Sequence, residues 1–348
     1  MLSLALLTAN LAHAQSNTLI MAPFQLPYGT GETIGSPAVY RHSPEPGVDA
    51  LFLVFETKLS ASSGGCPDGE WGLGFAYTFD GTNWTLLASP LVSPTDDTYY
   101  SCVAAHPTVV PMLGDDSWII YFKAEQDPGA VPGGAGWGSD RYTGLGRLTV
   151  SYNGSPSTGV YEYLFSSPDV TPVMKNVAQD MGYPSVVFAN GEYHMAFAQN
   201  PDVYVVSYPF PTSTLAVPSS PVLAAGTSPS EWERDELFSP SLTCLAGTPS
   251  SFAMAVGGRV WEPYPTLDAQ SVGVFTSSDL SSWTELPTLL HDRDTQGFEV
   301  KHLDLTTANA GADLGVFYTR PTTNFGNVLG LFTTAGWSHD TVDSKRCP

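Results

Sequence analysis

Beyond its first two dozen residues, this chain never runs far without a glycine or a proline. The longest such stretch is the 16 residues from Val48 to Ser63. Proline inside a helix costs ~3 kcal/mol and glycine ~1 kcal/mol, so long helices have nowhere to form. Between these breaks the apolar runs are short and rich in β-branched and aromatic residues, the composition of strands. The pattern therefore predicts an all-β chain.

The runs recur in a fixed order. Ser36-Pro37-Ala38-Val39, His106-Pro107-Thr108-Val109, Tyr183-Pro184-Ser185-Val186 and Ser239-Pro240-Ser241-Leu242 open four units, and Glu299-Val300-Lys301-His302 reads as a degenerate fifth. Each opening is followed by an apolar strand, such as Leu51 to Phe55 or Trp118 to Phe122, and then by a third strand, such as Gly74 to Thr78 or Val272 to Thr276. Five units of three or four short antiparallel strands describe a five-bladed β-propeller of antiparallel strands. A β-sandwich would account for the strands, but not for five copies in one order.

Two turns carry a family likeness. Thr78-Phe79-Asp80-Gly81-Thr82-Asn83-Trp84-Thr85 and Ser277-Ser278-Asp279-Leu280-Ser281-Ser282-Trp283-Thr284 resemble the Asp-and-Trp turn of five-bladed glycosidases. These are the arabinanases and xylosidases of glycoside hydrolase family 43 and the related invertases and levansucrases. The resemblance runs from about residue 24 to 340 and implies a propeller acting on carbohydrate. In the turn itself Asp caps the backbone and Trp packs between blades. The same resemblance would place the family's three carboxylates at Ser36, Tyr183 and Phe238, and none of these is acidic.

Residues 1–14 read as a secretory signal peptide: an apolar run from Leu2 to Leu11, then Ala12-His13-Ala14 as a small-x-small cleavage site. The expected layout is signal peptide 1–14, one propeller domain over 24–340 and a tail over 341–348. The four cysteines suit an oxidising compartment. Of three possible connectivities, Cys66–Cys102 with Cys244–Cys347 is favoured, because the first pair flanks one unit and the second anchors the tail. With 34 acidic against 13 basic residues the net charge is -21. Such a chain cannot neutralise a phosphate backbone or dock on anionic lipid. Carbohydrate is the expected partner, with no nucleic acid and no membrane, and the chain is expected to be a secreted or periplasmic monomer.

In a propeller the innermost strands line the axis, so the residues that open them, and those that end the next strand, meet around one pore. Asp180, Glu236 and Glu299 open such strands and are the expected catalytic carboxylates, since glycoside hydrolysis needs an acid and a base or nucleophile. Glu56, His106, Tyr183, Trp232, Glu262, His302 and Arg320 are the expected substrate-binding set. No Gly-x-Ser-x-Gly elbow, zinc-type histidine spacing or phosphate loop occurs, so no cofactor and no metal is expected. Gly133 to Gly138 reads as an insertion over the second unit. Two functions follow: a secreted glycoside hydrolase, or a carbohydrate-binding propeller without turnover.

Overall fold

A computed structural model describes residues 16–333 except 22–24, 30–32, 46–47, 61–65, 67–68, 95–99, 113–116, 126–142, 156–159, 165–170, 177–179, 210–214, 227–230, 234, 246–250, 261–268, 288, 292–299, 309–312 and 323–325, together with residue 347. The expected signal peptide, the expected Gly133–Gly138 insertion, Glu262, Glu299 and all of the expected tail but Cys347 lie outside the described residues.

The order of elements follows the repeat. β1 (Ser16–Met21) comes first. The first unit is β2 (Ile34–Glu45), β3 (Val48–Lys58), β4 (Trp71–Thr78) and the short β5 (Thr85–Leu86). The second is β6 (Val103–Pro111), β7 (Ser117–Glu125), β8 (Thr143–Ser155), β9 (Val160–Leu164) and β10 (Thr171–Asn176). The third is β11 (Met181–Ala189), β12 (Glu192–Gln199) and β13 (Asp202–Tyr208). The fourth is β14 (Glu236–Leu245), β15 (Ser251–Val260), β16 (Ala269–Ser277) and β17 (Thr284–Glu285). The fifth is β18 (Lys301–Ala308), β19 (Asp313–Thr322) and β20 (Gly326–Thr333). The outer edge of β20 pairs antiparallel with β1, so the first and last described strands share one blade. β1 lies before residue 24, the expected start of the domain, within a segment whose apolar residues run on from the expected signal peptide.

Hydrogen bonding sorts these strands into four sheets, because β4 meets β6 through one parallel pair, Trp71 with Val103, and joins the first two units into a nine-stranded sheet. Packing sorts them into five blades. Five separate apolar cores lie between successive units: first with second, second with third, third with fourth, fourth with fifth and fifth with first. The ring is closed. Alternate residues of a strand face opposite neighbours: Leu51, Leu53 and Phe55 pack toward the fifth blade, while Ala50, Phe52 and Val54 pack toward the second. Burial on both faces is why these strands read as unbroken apolar runs.

Polar bonds near the axis repeat as well. Ser185 Oγ accepts the Leu242 N–H, Ser241 Oγ accepts that of Leu305, and Asp304 Oδ2 accepts that of Val39, at 2.9, 2.6 and 2.6 Å. Each bond crosses from one innermost strand to the next, at equivalent positions. At the first-to-second junction the equivalent residue is Ala38, which offers no side-chain acceptor. The Cys66–Cys102 disulfide lies beside that junction, with Trp71 packed against it. The other disulfide joins Cys244 to Cys347, whose N–H also reaches Phe188 O. Both pairings match the sequence expectation.

Both turns form as their sequences suggest. Asp80 Oδ1 accepts the N–H groups of Thr82 and Asn83, and Asp279 Oδ1 those of Ser281 and Ser282. Trp84 packs on the fifth-to-first core and Trp283 on the third-to-fourth.

Candidate active site at the axis of the ring

The site begins with a bulge common to all five innermost strands. The pairing register slips between Gly35 and Ala38, Ala105 and Thr108, Gly182 and Ser185, Phe238 and Ser241, and Lys301 and Asp304. Inside each slip one residue is left-handed: Ser36, His106, Tyr183, Ser239 and His302, with φ from 44° to 54°. A non-glycine residue held this way costs roughly 1–2 kcal/mol, and a bulge re-aims its side chain. With the residues that follow them, these five line a small open cleft at the axis. Leu303 stands in the fifth blade where the other four carry proline, so the anchor of that blade is residue 303 and not 300. The sequence had suggested 300 because the motif lacks proline to mark it.

Glu56, on β3, lies beneath this ring and is only 4% exposed. Its Oε2 accepts the His106 backbone N–H at 3.1 Å and lies 3.5 Å from His106 Nε2, while Oε1 lies 3.2 Å from His302 Nδ1. Burial alone would push the carboxyl up, but the imidazoles of His106 and His302 beside it hold it well below the usual carboxylate range. Burial drives the His106 imidazole well below its ordinary value, against the pull of Glu56. Glycine makes room for the cluster. A Cβ on Gly35 would sit 2.8 Å from Glu56 Oε1 and 3.3 Å from His302 Nδ1, and one on Gly182 would sit 3.1 Å from His106 Nδ1.

Tyr183 stacks on His106, and its burial pushes the phenol pKa up, with Lys123, Glu56, Asp180 and Arg259 acting on it by charge. Lys123 is buried between Glu125 Oε1 at 2.6 Å and Asp180 Oδ1 at 2.9 Å. Burial would favour loss of its proton, but the two carboxylates push its pKa upward. Glu236 Oε2 pairs with Arg259 Nη1 at 3.0 Å, and the same guanidinium lies 5.2 Å from the Phe238 ring centroid.

Of the expected binding residues, His106, Tyr183 and His302 line the cleft, with Glu56 directly below. Asp180 acts on Tyr183 by charge but is ion-paired with Lys123, and Glu236 is ion-paired with Arg259. Arg320 lies on β19, paired with Val328, and is not among the residues that line the cleft. Trp232 is not placed to stack on a ligand in the cleft: its indole covers Gly258 and Gly273 and its Nε1 donates to Glu285 Oε1 at 2.8 Å. The sequence had drawn it in because it lies close to Glu236 along the chain. The sequence also pointed away from metal, yet Glu56, His106 and His302 each present a ligand atom, all within 4.8 Å of one another. These residues are far apart in sequence, so no spacing motif signals them.

The fold has known relatives in structure. A thermostable family-43 glycoside hydrolase superposes with a TM-score of 0.56 at 14% identity, over 92% of this chain and 98% of its own. An α-L-arabinofuranosidase from Lactobacillus brevis gives 0.57 at 13% identity, over 92% and 96%. The catalytic domain of the Coprinopsis cinerea family-62 α-L-arabinofuranosidase gives 0.55 at 11% identity, over 93% and 97%. No protein-family model matches the sequence, and no curated protein matches it either. The chain therefore has the propeller fold of the family-43 and family-62 glycoside hydrolases.

Proposed function

We propose that the protein is an exported glycoside hydrolase acting on a polysaccharide or oligosaccharide at the axial cleft. The observation that carries this reading is the buried Glu56 carboxyl, in contact with His106 and His302, under a ring of five cleft-lining residues, in a fold used by glycosidases. A buried negative charge at that point suits an oxocarbenium-like transition state. Asp180, Glu236 and Glu299 each stand four residues before the anchor of their blade, at 184, 240 and 303. Asp180 and Glu299 are the proposed acid/base pair, and Glu236, committed to Arg259, tunes the charge around them. The two disulfides suit export to an oxidising compartment. Hydrolysis of a panel of arabinans, xylans, galactans and fructans by the purified protein tests the reading. Turnover that falls ~10²-fold in Asp180→Asn and Glu299→Gln supports it; unchanged turnover in both variants removes the assignment.

One observation favours a second reading, a carbohydrate-binding propeller without turnover. Ser36, Tyr183 and Phe238 occupy the positions where family 43 carries its carboxylates. Sugar binding in calorimetry without product from any glycan would establish it.

A further inference from the structure

We propose that Asn83 is the acceptor of an N-linked glycan, and that the first sugar of this glycan lies over the exposed ring of Phe79. The inference rests on the reading of the chain as an exported protein, since the transfer takes place in a secretory compartment. Asn83-Trp84-Thr85 is an acceptor triplet, an asparagine followed two residues later by a hydroxyl. Asn83 and Thr85 are both exposed, where the turn after β4 leads into β5. The other such triplet in the chain, Asn153-Gly154-Ser155, has its asparagine inside the β8–β9 ladder, paired with Glu162.

The matching turn of the fourth blade separates what the turn needs from what it carries. Thr78 Oγ1 donates to Asp80 Oδ1 at 3.0 Å, and Ser277 Oγ donates to Asp279 Oδ1 at 3.1 Å. Thr78 Oγ1 also accepts the N–H groups of Asp80 and Gly81, as Ser277 Oγ accepts those of Asp279 and Leu280. Both turns run on through a tryptophan into a two-residue strand. Yet where the first blade carries Phe79 and Asn83, the fourth carries Ser278 and Ser282. The same backbone forms without either. The aromatic ring and the acceptor amide are present together in one turn and absent together in the other.

Among the described residues Phe79 is the one large apolar side chain left exposed, at 41%. Tyr77 meets its ring edge-on with centroids 5.6 Å apart, which holds the platform in place. The apolar C–H face of a pyranose fits such a ring, and covering it removes apolar surface from water. Asn83 Nδ2 donates to Asp80 Oδ2 at 2.6 Å and to Thr82 Oγ1 at 3.3 Å. In the transfer Nδ2 bonds to C1 of an oligosaccharide carried on a lipid pyrophosphate. The C1–O bond to phosphate breaks, the lipid pyrophosphate leaves with the electron pair, and one amide proton passes to solvent. One N–H remains, enough to keep the bond to Asp80 and aim the glycan. The turn also stands clear of the cleft. β4 pairs with Glu56 at Leu73 and reaches its end five residues on at Thr78, roughly 17 Å along the strand.

The test expresses the full chain in a eukaryotic secretory host, with the host's own leader fused ahead of it, so that entry does not depend on residues 1–14. Expected is a protein whose mass falls on treatment with peptide N-glycosidase, with Asn83 converted to aspartate in the peptide map. Asn83→Gln and Thr85→Ala should lose the glycan, and Thr85→Ser should keep it. A bare Asn83, or a glycan at Asn153 alone, overturns the proposal. Export is judged apart, on the chain behind its own leader: retention of that form in the cell counts against the export reading and leaves the result at Asn83 standing. The contact with Phe79 is read by a double-mutant cycle in melting temperature between Phe79→Ser and Thr85→Ala, the second of which removes the glycan but keeps Asn83. A glycan-dependent rise in melting temperature that vanishes in Phe79→Ser supports the contact, and additive changes overturn it.

Discussion

The imidazole of His106 lies flat against the phenol ring of Tyr183, with centroids 3.7 Å apart and planes 12° apart. The two residues hold the same bulge position in neighbouring blades, so the repeat itself brings them face to face. An aromatic pair of this kind is worth about 0.5–1.5 kcal/mol beyond its buried area. Tyr183→Phe keeps the stack and should leave urea stability within about 1 kcal/mol of wild type, whereas Tyr183→Leu loses the stack and should fall further. On the glycan that the panel identifies, Tyr183→Phe should bind and turn over more weakly, because the hydroxyl on which Lys123, Asp180 and Arg259 act by charge is gone.

Lys123 gives a prediction about charge. Its ammonium is the cation between Glu125 and Asp180, and Glu125 is buried. Lys123→Met should destabilise the protein by about 3–5 kcal/mol in urea denaturation, because it strands a buried carboxylate. Adding Glu125→Leu should restore much of the loss. A Lys123→Met protein as stable as wild type would show that the pair contributes nothing.

Trp232 should behave as a packing residue. Its ring covers Gly258 and Gly273, so Gly273→Ala drives a methyl into the indole and should cost about 1–3 kcal/mol. Neither that change nor Trp232→Phe should alter sugar affinity, which calorimetry on the folded variants would check.

The exposed turn at Asp279 should depend on pH. Hydrogen bonds from the Ser282 and Ser281 N–H groups lower its pKa to about 2, against about 3.9 for an unfolded Asp. The folded value is the lower one, so the contribution is complete above the unfolded pKa and is lost as pH falls through about 2. An NMR titration following the Ser282 amide should show its midpoint near 2, and Asp279→Asn should abolish the step.

The disulfides should differ in strength. They close 36 and 103 residues of sequence, which corresponds to about 4 and about 5 kcal/mol of lost chain entropy in the unfolded state. Replacing Cys244 and Cys347 by serine should therefore lower stability more than replacing Cys66 and Cys102.

Much of this architecture was legible because propeller blades repeat. The Pro-marked openings located four innermost strands, and the unbroken apolar runs located the strands packed on both faces. The fifth opening was misplaced by three residues because Leu303 carries no visible mark, although its backbone bulges like the other four. β1 was not anticipated, since its apolar residues continue the pattern of a signal peptide. The residues of the cleft could be read from the repeat, because equivalent positions converge on the axis. Their partnerships could not. Whether Asp180 meets Lys123, or Glu56 meets two imidazoles, depends on side chains from blades far apart in sequence, and nothing in one blade's residues encodes its neighbour's. Trp232 shows the reverse failure: nearness in sequence to Glu236 did not bring its indole to the cleft.

The pairing of β1 with β20 also sets the order in which this molecule can be completed. The first described strand to be synthesised waits for the last one, some 300 residues later, before its backbone hydrogen bonds are made. Four blades can assemble on local contacts as they emerge, but the fifth is complete only when β20 meets β1. A chain cut short before β18 keeps four blades and gains two bare apolar faces, the surfaces that the fifth blade covers. It would also leave β1 as an unpaired strand, the kind of edge along which chains aggregate. Closure of the ring thus waits on its last blade, and a chain that lacks that blade is a sticky one.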